Sequence, residues 1–108
     1  MNEAHVVLSL SALAHEVRLR VFRALVVAGP AGLTPGTLCE TLQVAASGLS
    51  FHLKELVHAG LITQSRDGRH LIYRADFTHM NGLLSYLTAH CCQGEPCLDV
   101  SEQSCTSC

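Results

Sequence analysis

The chain has 108 residues, a length typical of one folded domain, and 48% of them are apolar, which excludes a chain too polar to form a core. The net charge of −2 excludes a protein that is basic throughout. Residues 1–75 contain all seven Lys and Arg against five acids, a net +2, whereas residues 76–108 contain four acids and no Lys or Arg, a net −4. A nucleic-acid-binding surface would therefore have to be a local basic patch.

The first 18 residues have neither the basic start nor the cleavage motif of a secretory signal, and no apolar run reaches the roughly 18 residues of a membrane span. We therefore expect a cytoplasmic protein without a membrane partner, whose thiols stay reduced. Five of the six cysteines lie in the last 18 residues. This clustering favours metal or redox chemistry over a disulfide scaffold, whose bridges would be spread along the chain.

Four helices are predicted before residue 60. Apolar residues recur at helical spacing in residues 4–13 and 15–28, and Gly29-Pro30 ends the second helix. A short helix over residues 35–42, with Thr34 as its N-cap, precedes a tight turn and a longer helix over residues 45–59. This spacing predicts a helix-turn-helix.

The longer helix has two distinct faces. Leu49, Leu53 and Leu56 form an apolar stripe that should face the core. By helical angle, His52 falls at the flank of this stripe, where it could pack or hydrogen-bond internally. The polar residues of the opposite face are Ser47, Ser50, Lys54 and His58.

A β-hairpin and a final helix complete the predicted fold. Asp67-Gly68 is a strong turn signal between two predicted strands, residues 61–66 and 69–75. Asp76 is a plausible N-cap for the last helix. The fold class is therefore mainly α with a β-hairpin wing, a winged helix-turn-helix.

This fold class predicts a surface that binds double-stranded DNA. The second helix of a helix-turn-helix lies in the major groove, and a basic wing reaches the backbone or an adjacent minor groove. Contacts to phosphates provide affinity and contacts to bases provide sequence preference. The predicted DNA-binding residues are Ser47, Ser50, His52 and Lys54 on the helix, and Arg66, Arg69 and His70 on the wing.

Three segments resemble the signature of the ArsR/SmtB family of metal-responsive repressors: "SGLSFHLKELVHAGLI", "RDGRHLIYRA" and "ALAHEVRLRVFRAL". The resemblance covers about residues 8–90. It implies a homodimer, built through the first and last helices, that binds a palindromic operator with the residues named above. A dimer is also physically reasonable, because a small monomer core cannot easily hide Val6, Leu10, Leu83, Leu84 and Leu87.

Two sensor sites found in this family are not matched by the sequence. An arsenic-sensing C-x-C-x-x-C pattern in the helix before the turn would need more than Cys39, which we interpret as a small buried hydrophobe. A zinc-sensing pattern in the last helix has His79 and His90 at the expected separation, but Phe77 and Gln93 occupy the other two positions.

The remaining candidate metal site is "CCQGEPC". Gly94 and Pro96 are placed to end the helix, so that three thiolates could converge there. Three thiolates suit a pyramidal ion such as As(III) or Sb(III), whereas Zn(II) would take His90 as a fourth ligand. Vicinal cysteines just past the last helix also resemble the arsenite-responsive branch of the family. The predicted metal ligands are Cys91, Cys92 and Cys97.

The sequence thus predicts a winged helix-turn-helix domain over residues 1–90 and a Cys-rich sensor segment with a flexible tail over residues 91–108. Its predicted function is a dimeric repressor that As(III) or Sb(III) releases from operator DNA. The alternative is a repressor that senses Zn(II), Cd(II), Pb(II) or thiol oxidation through the same cysteines. No enzyme is predicted, since the terminal C-x-x-C of Cys105 and Cys108 lacks the βαβ setting of thiol oxidoreductases.

Overall fold

The computed structural model describes residues 1–89, so the predicted sensor segment, residues 91–108, lies outside the described residues. Five helices and one antiparallel hairpin follow each other in the predicted order, which confirms a mainly α fold with a β-hairpin wing. The elements are α1 (Glu3–Leu13), α2 (Glu16–Ala28), α3 (Pro35–Leu42), α4 (Ala46–His58), β1 (Ile62–Asp67), β2 (His70–Ala75) and α5 (Phe77–Thr88).

Side chains cap the start of most of these helices. The Thr34 hydroxyl accepts a hydrogen bond from the backbone N–H of Thr37 at 3.3 Å, and the Asp76 carboxylate accepts one from the backbone N–H of His79 at 3.0 Å. Both predicted caps are therefore confirmed. Such bonds satisfy N–H groups that have no partner inside the helix.

The turn between α3 and α4 is held by backbone geometry and by an arginine of α2. Gln43 adopts the left-handed conformation, with φ 57° and ψ 48°, at the C-cap of α3. Arg20 donates from Nη2 to the carbonyl oxygen of Leu42 at 3.0 Å. This bond satisfies a carbonyl at the end of α3 and ties that end to α2.

The core lies where α2, α3 and α4 meet the base of the hairpin. The predicted inward stripe of α4 is confirmed, because Leu49, Leu53 and Leu56 are all buried. They pack in one cluster with buried side chains from the other elements, among them Val21, Phe22, Leu25, Leu38, Leu61, Ile62 and Tyr73.

The hairpin is shifted by one residue relative to the prediction. Asp67 pairs with His70, so the two loop residues are Gly68, with φ +65°, and Arg69. The prediction that Asp67 lies in the turn and that Leu61 starts the strand was wrong. Leu61 instead bonds through its N–H to the carbonyl oxygen of Leu56, at the end of α4.

A short extended segment before α3 anchors the wing to the domain. Leu33 exchanges two backbone hydrogen bonds of 2.9 Å with Tyr73 of β2. Gly32, with φ +70°, makes this approach possible, because a Cβ atom there would lie 2.5 Å from the Tyr73 carbonyl oxygen. The wing is therefore attached at its base and free at its tip.

Helices α1 and α5 contact each other and leave apolar side chains in solvent. Val6 and Leu83 are buried within the protomer, whereas Leu10, Leu84 and Leu87 are 41%, 47% and 53% exposed. None of the helices within residues 1–89 combines the length and the apolar character needed to cross a bilayer.

Candidate nucleic-acid interface

The outward face of α4 carries three of the predicted DNA-binding residues. Ser47, Ser50 and Lys54 are all exposed, and the leucine stripe on the other side of the helix is buried. Two hydroxyls and one ammonium group are thus free of the protein core. They can donate hydrogen bonds to phosphates or to acceptors on base edges.

The wing presents the other basic residues at its tip. Arg66, Arg69 and His70 are exposed in and beside the two-residue loop. They and Lys54 are the exposed basic side chains among the residues predicted to contact DNA. Guanidinium groups suit phosphate recognition, because they offer several N–H donors in a fixed plane.

His52 lies in a different environment from the other residues predicted to bind DNA. It is half-buried at the contact between α2 and α4, where Arg18 donates from Nε to its Nδ1 atom at 3.2 Å. The ring of His15 lies 4.5 Å from the ring of His52. Burial lowers the pKa of His52 from its ordinary value of 6.5, and the nearby His15 and Arg18 lower this pKa further. The accepted hydrogen bond also requires an unprotonated Nδ1.

Phe51 and Arg18 belong to this surface but were not among the predicted site residues. Phe51 is 54% exposed on α4, and the guanidinium carbon of Arg18 lies 6.0 Å from the centre of its ring. The helical period of α4 could have identified Phe51. No local pattern identifies Arg18, whose position follows from the packing of α2 on α4.

The predicted metal ligands Cys91, Cys92 and Cys97 lie outside the described residues, as do His90 and Gln93. Within residues 1–89 no three His, Cys, Asp or Glu side chains cluster closely enough to hold a metal ion. His79 has a different partner, since its Nε2 atom lies 2.8 Å from the Ser9 hydroxyl. Cys39 packs against the core, as predicted for a small hydrophobe, but it is half-buried where full burial was expected.

Comparison with known proteins identifies the family. A helix-turn-helix domain model matches residues 13–65. The transcriptional regulator HlyU from Vibrio vulnificus CMCP6 is 31% identical over 84% of this chain and 92% of that chain, with a TM-score of 0.63. An ArsR-like transcriptional regulator from Rhodococcus sp. RHA1 is 27% identical over 78% of this chain and 76% of that chain, with a TM-score of 0.70. The chain belongs to the ArsR/SmtB family of winged-helix transcriptional regulators.

A third similar structure is described as a possible transcriptional regulator for arsenical resistance. It is 25% identical over 93% of this chain and 95% of that chain, with a TM-score of 0.65. No curated protein matches the sequence. ArsR/SmtB proteins are DNA-binding regulators and not enzymes. In this chain, the helix-turn-helix consists of α3 and α4, and the wing consists of β1 and β2.

Proposed function

We propose that this protein is a homodimeric repressor that releases its operator when As(III) or Sb(III) binds Cys91, Cys92 and Cys97. One observation carries the proposal: the three cysteines follow directly after α5, a helix with exposed apolar side chains. A ligand captured there would act beside the surface that joins two copies. The similarity to a possible transcriptional regulator for arsenical resistance supports As(III) or Sb(III) as the inducer.

The DNA contacts of the proposal come from α4 and the wing. Ser47, Ser50 and Lys54 would contact the major groove, and the exposed wing residues Arg66 and Arg69 would contact phosphates. His52 and His70 complete the predicted set of contacts. His52 would contribute from the α2–α4 contact, next to the other residues of the helix.

The dimer of the proposal uses α1 and α5. Four apolar residues of these helices are each about half exposed in a single protomer: Val7, Leu10, Leu84 and Leu87. Covering apolar surface of this kind is the main favourable term in association. A symmetric dimer would present two α4 helices at a spacing of about 34–36 Å, one turn of B-DNA.

The inducer chemistry rests on the number and type of ligands. Thiolates are soft donors that favour thiophilic ions, and three of them satisfy As(III) or Sb(III). Zn(II) prefers four ligands and would need His90 in addition. Binding must favour the form of the dimer with low DNA affinity, and about 1.4 kcal/mol of coupling weakens DNA binding tenfold.

The proposal predicts that Cys91→Ser and Cys92→Ser each retain DNA binding and lose release by arsenite. A duplex is first selected from a randomised library with the full chain and labelled with a fluorophore. Anisotropy is then followed while arsenite or antimonite is added to the wild type and to each variant. We expect the wild type to lose at least about tenfold in DNA affinity and the two variants to lose none.

Cys39→Ala is the matched control, because it also removes one thiol but leaves the C-terminal cysteines intact. It should release DNA as the wild type does. Release of either serine variant by arsenite would contradict the assigned ligands. Release of the wild type by Zn(II), Cd(II), Pb(II) or peroxide, with none by arsenite or antimonite, would replace the proposed inducer.

A further inference from the structure

An aromatic ring stands on the outward face of α4. Phe51 is 54% exposed, although burying such a ring would stabilise the fold, and α4 does bury three leucines on its other side. Single exposed apolar residues are common on protein surfaces, so exposure alone carries no inference. The position of Phe51 and its contacts do.

Phe51 lies close to the middle of the face that points away from the core. At 100° per residue it is roughly 165° from the mean direction of the buried leucine stripe. Ser47 lies one turn before it and Lys54 one turn after it, both exposed on the same face. The ring is therefore an apolar point between a hydroxyl and an ammonium group.

The ring is oriented before any ligand arrives. Arg18 places its guanidinium carbon 6.0 Å from the ring centre, at the outer range of a cation–π contact. The ring of His52 lies 5.6 Å away at an interplanar angle of 65°, an edge-to-face arrangement. Since Arg18 is itself bonded to His52, these contacts restrict Phe51 and reduce the entropy that binding would cost.

The major groove offers one apolar group that such a ring can recognise. Guanine, adenine and cytosine present hydrogen-bond donors and acceptors there, whereas thymine also presents its C5-methyl group. A phenyl ring has no donor or acceptor for the polar edges. We propose that Phe51 contacts the C5-methyl group of a thymine in each half-site and so determines the sequence preference there. This inference rests on the proposal that α4 lies in the major groove.

The test compares thymine with deoxyuridine, which lacks only the methyl group. Duplexes are selected from a randomised library with the full-length wild type, and each thymine of the recovered half-site is then replaced in turn, symmetrically. At one position the replacement should weaken binding about fourfold per half-site, or about 15-fold in a symmetric duplex, as expected for one buried methyl group each. Replacement at the other thymines should have little effect.

Variants assign this preference to the ring. Phe51→Ser should bind the thymine and deoxyuridine duplexes equally, whereas Phe51→Leu, which keeps an apolar side chain, should retain part of the difference. Val27→Ser is the matched control, since Val27 is apolar and 76% exposed on α2 and should leave the preference unchanged. Circular dichroism of each variant checks that the fold is intact.

Three results would overturn the inference, and they distinguish failure of the role of Phe51 from failure of the DNA interface. If the library yields a preferred palindrome and the wild type binds its thymine and deoxyuridine forms equally at every position, the role of Phe51 is refuted but the DNA interface stands. A thymine preference that persists in Phe51→Ser would likewise refute the role of Phe51 and leave the DNA interface standing. If no sequence is enriched at all, the proposed interface on α4 fails, and the role of Phe51 fails with it.

Discussion

His52 shows how one side chain can belong to a predicted binding motif and also hold the fold together. Its Nδ1 atom accepts from Arg18 of α2, and its ring lies beside His15, the N-cap of the same helix. Protonation would remove the acceptor and place a second positive charge beside Arg18. Protonation of His52 should therefore weaken the contact between α2 and α4.

We predict that acid destabilises the wild type more than His52→Gln. Because the folded pKa of His52 is lower than 6.5, the unfolded chain binds more protons in the window between the two values. The stability that neutral His52 provides is therefore fully present above this pH window and is lost as the pH falls through it. Glutamine can still accept from Arg18 but cannot be protonated.

The measurement is urea unfolding of both proteins, followed by circular dichroism from about pH 8 to about pH 5. The free energy of unfolding of the wild type minus that of the variant should decrease towards acid pH. The other ionisable groups near the site, His15 and Glu55, are present in both proteins. Their contributions to the pH dependence of unfolding should therefore largely cancel in this difference. A difference that does not change with pH would refute the prediction.

At the scale of elements, the wing depends on a glycine outside it. Gly32 brings the segment before α3 against β2, and Leu33 then pairs with Tyr73. The wing is a hairpin of two strands, and an isolated hairpin of this kind is marginally stable in water. Attachment at Leu33 therefore gives it part of its stability.

We predict that Gly32→Ala lowers the free energy of unfolding by about 2 kcal/mol or more. The new methyl group would meet the Tyr73 carbonyl oxygen at 2.5 Å in a backbone conformation that alanine rarely adopts. Gly36→Ala is the control, because Gly36 lies in α3 with open space around it and alanine favours helix. Urea unfolding measures both, and equal stabilities of the two variants would contradict the prediction.

The elements with local signals could be predicted from the sequence. Thr34 and Asp76 each start a helix because a side-chain oxygen can reach N–H groups two or three residues ahead. Asp67-Gly68 located the hairpin, but the true loop begins one residue later, because the register depends on how β2 pairs along its length. Turn residues alone do not determine that pairing.

Contacts between residues far apart in the chain could not be predicted in the same way. Arg18 and His52 are 34 residues apart, and Ser9 and His79 are 70 residues apart. Both pairs depend on how helices pack, and no sequence pattern links them. Phe51 was left out for another reason: its exposure follows from the helical period, but the predicted DNA contacts were chosen among polar and basic side chains.

At the scale of the whole molecule, α1 and α5 expose apolar side chains that a second copy would cover in the proposed dimer. Leu84 and Leu87 of α5 are about half exposed, and Leu10 of α1 is exposed as well. If two copies cover these residues, the assembly has the twofold symmetry that a palindromic operator requires. The oligomeric state is then the first property to measure.

We predict that Leu84→Glu weakens the dimer by about 100-fold, because association would bury an unpaired carboxylate from each protomer. Sedimentation equilibrium should give a monomer for this variant and a dimer for the wild type. Val27→Glu is the control, since it adds the same charge at a position on α2 that is 76% exposed. A dimer of unchanged strength in Leu84→Glu would exclude α5 from the interface.

Two arginines of α2 bond to different halves of the helix-turn-helix: Arg18 to α4 through His52, and Arg20 to the last carbonyl of α3. Helix α2 is thus hydrogen-bonded to both α3 and α4. We therefore expect α2, α3 and α4 to move together as one rigid unit in the proposed dimer. Release from DNA would then require only a change in the distance and angle between the two helix-turn-helix units of that dimer. Neither unit would have to change its internal structure.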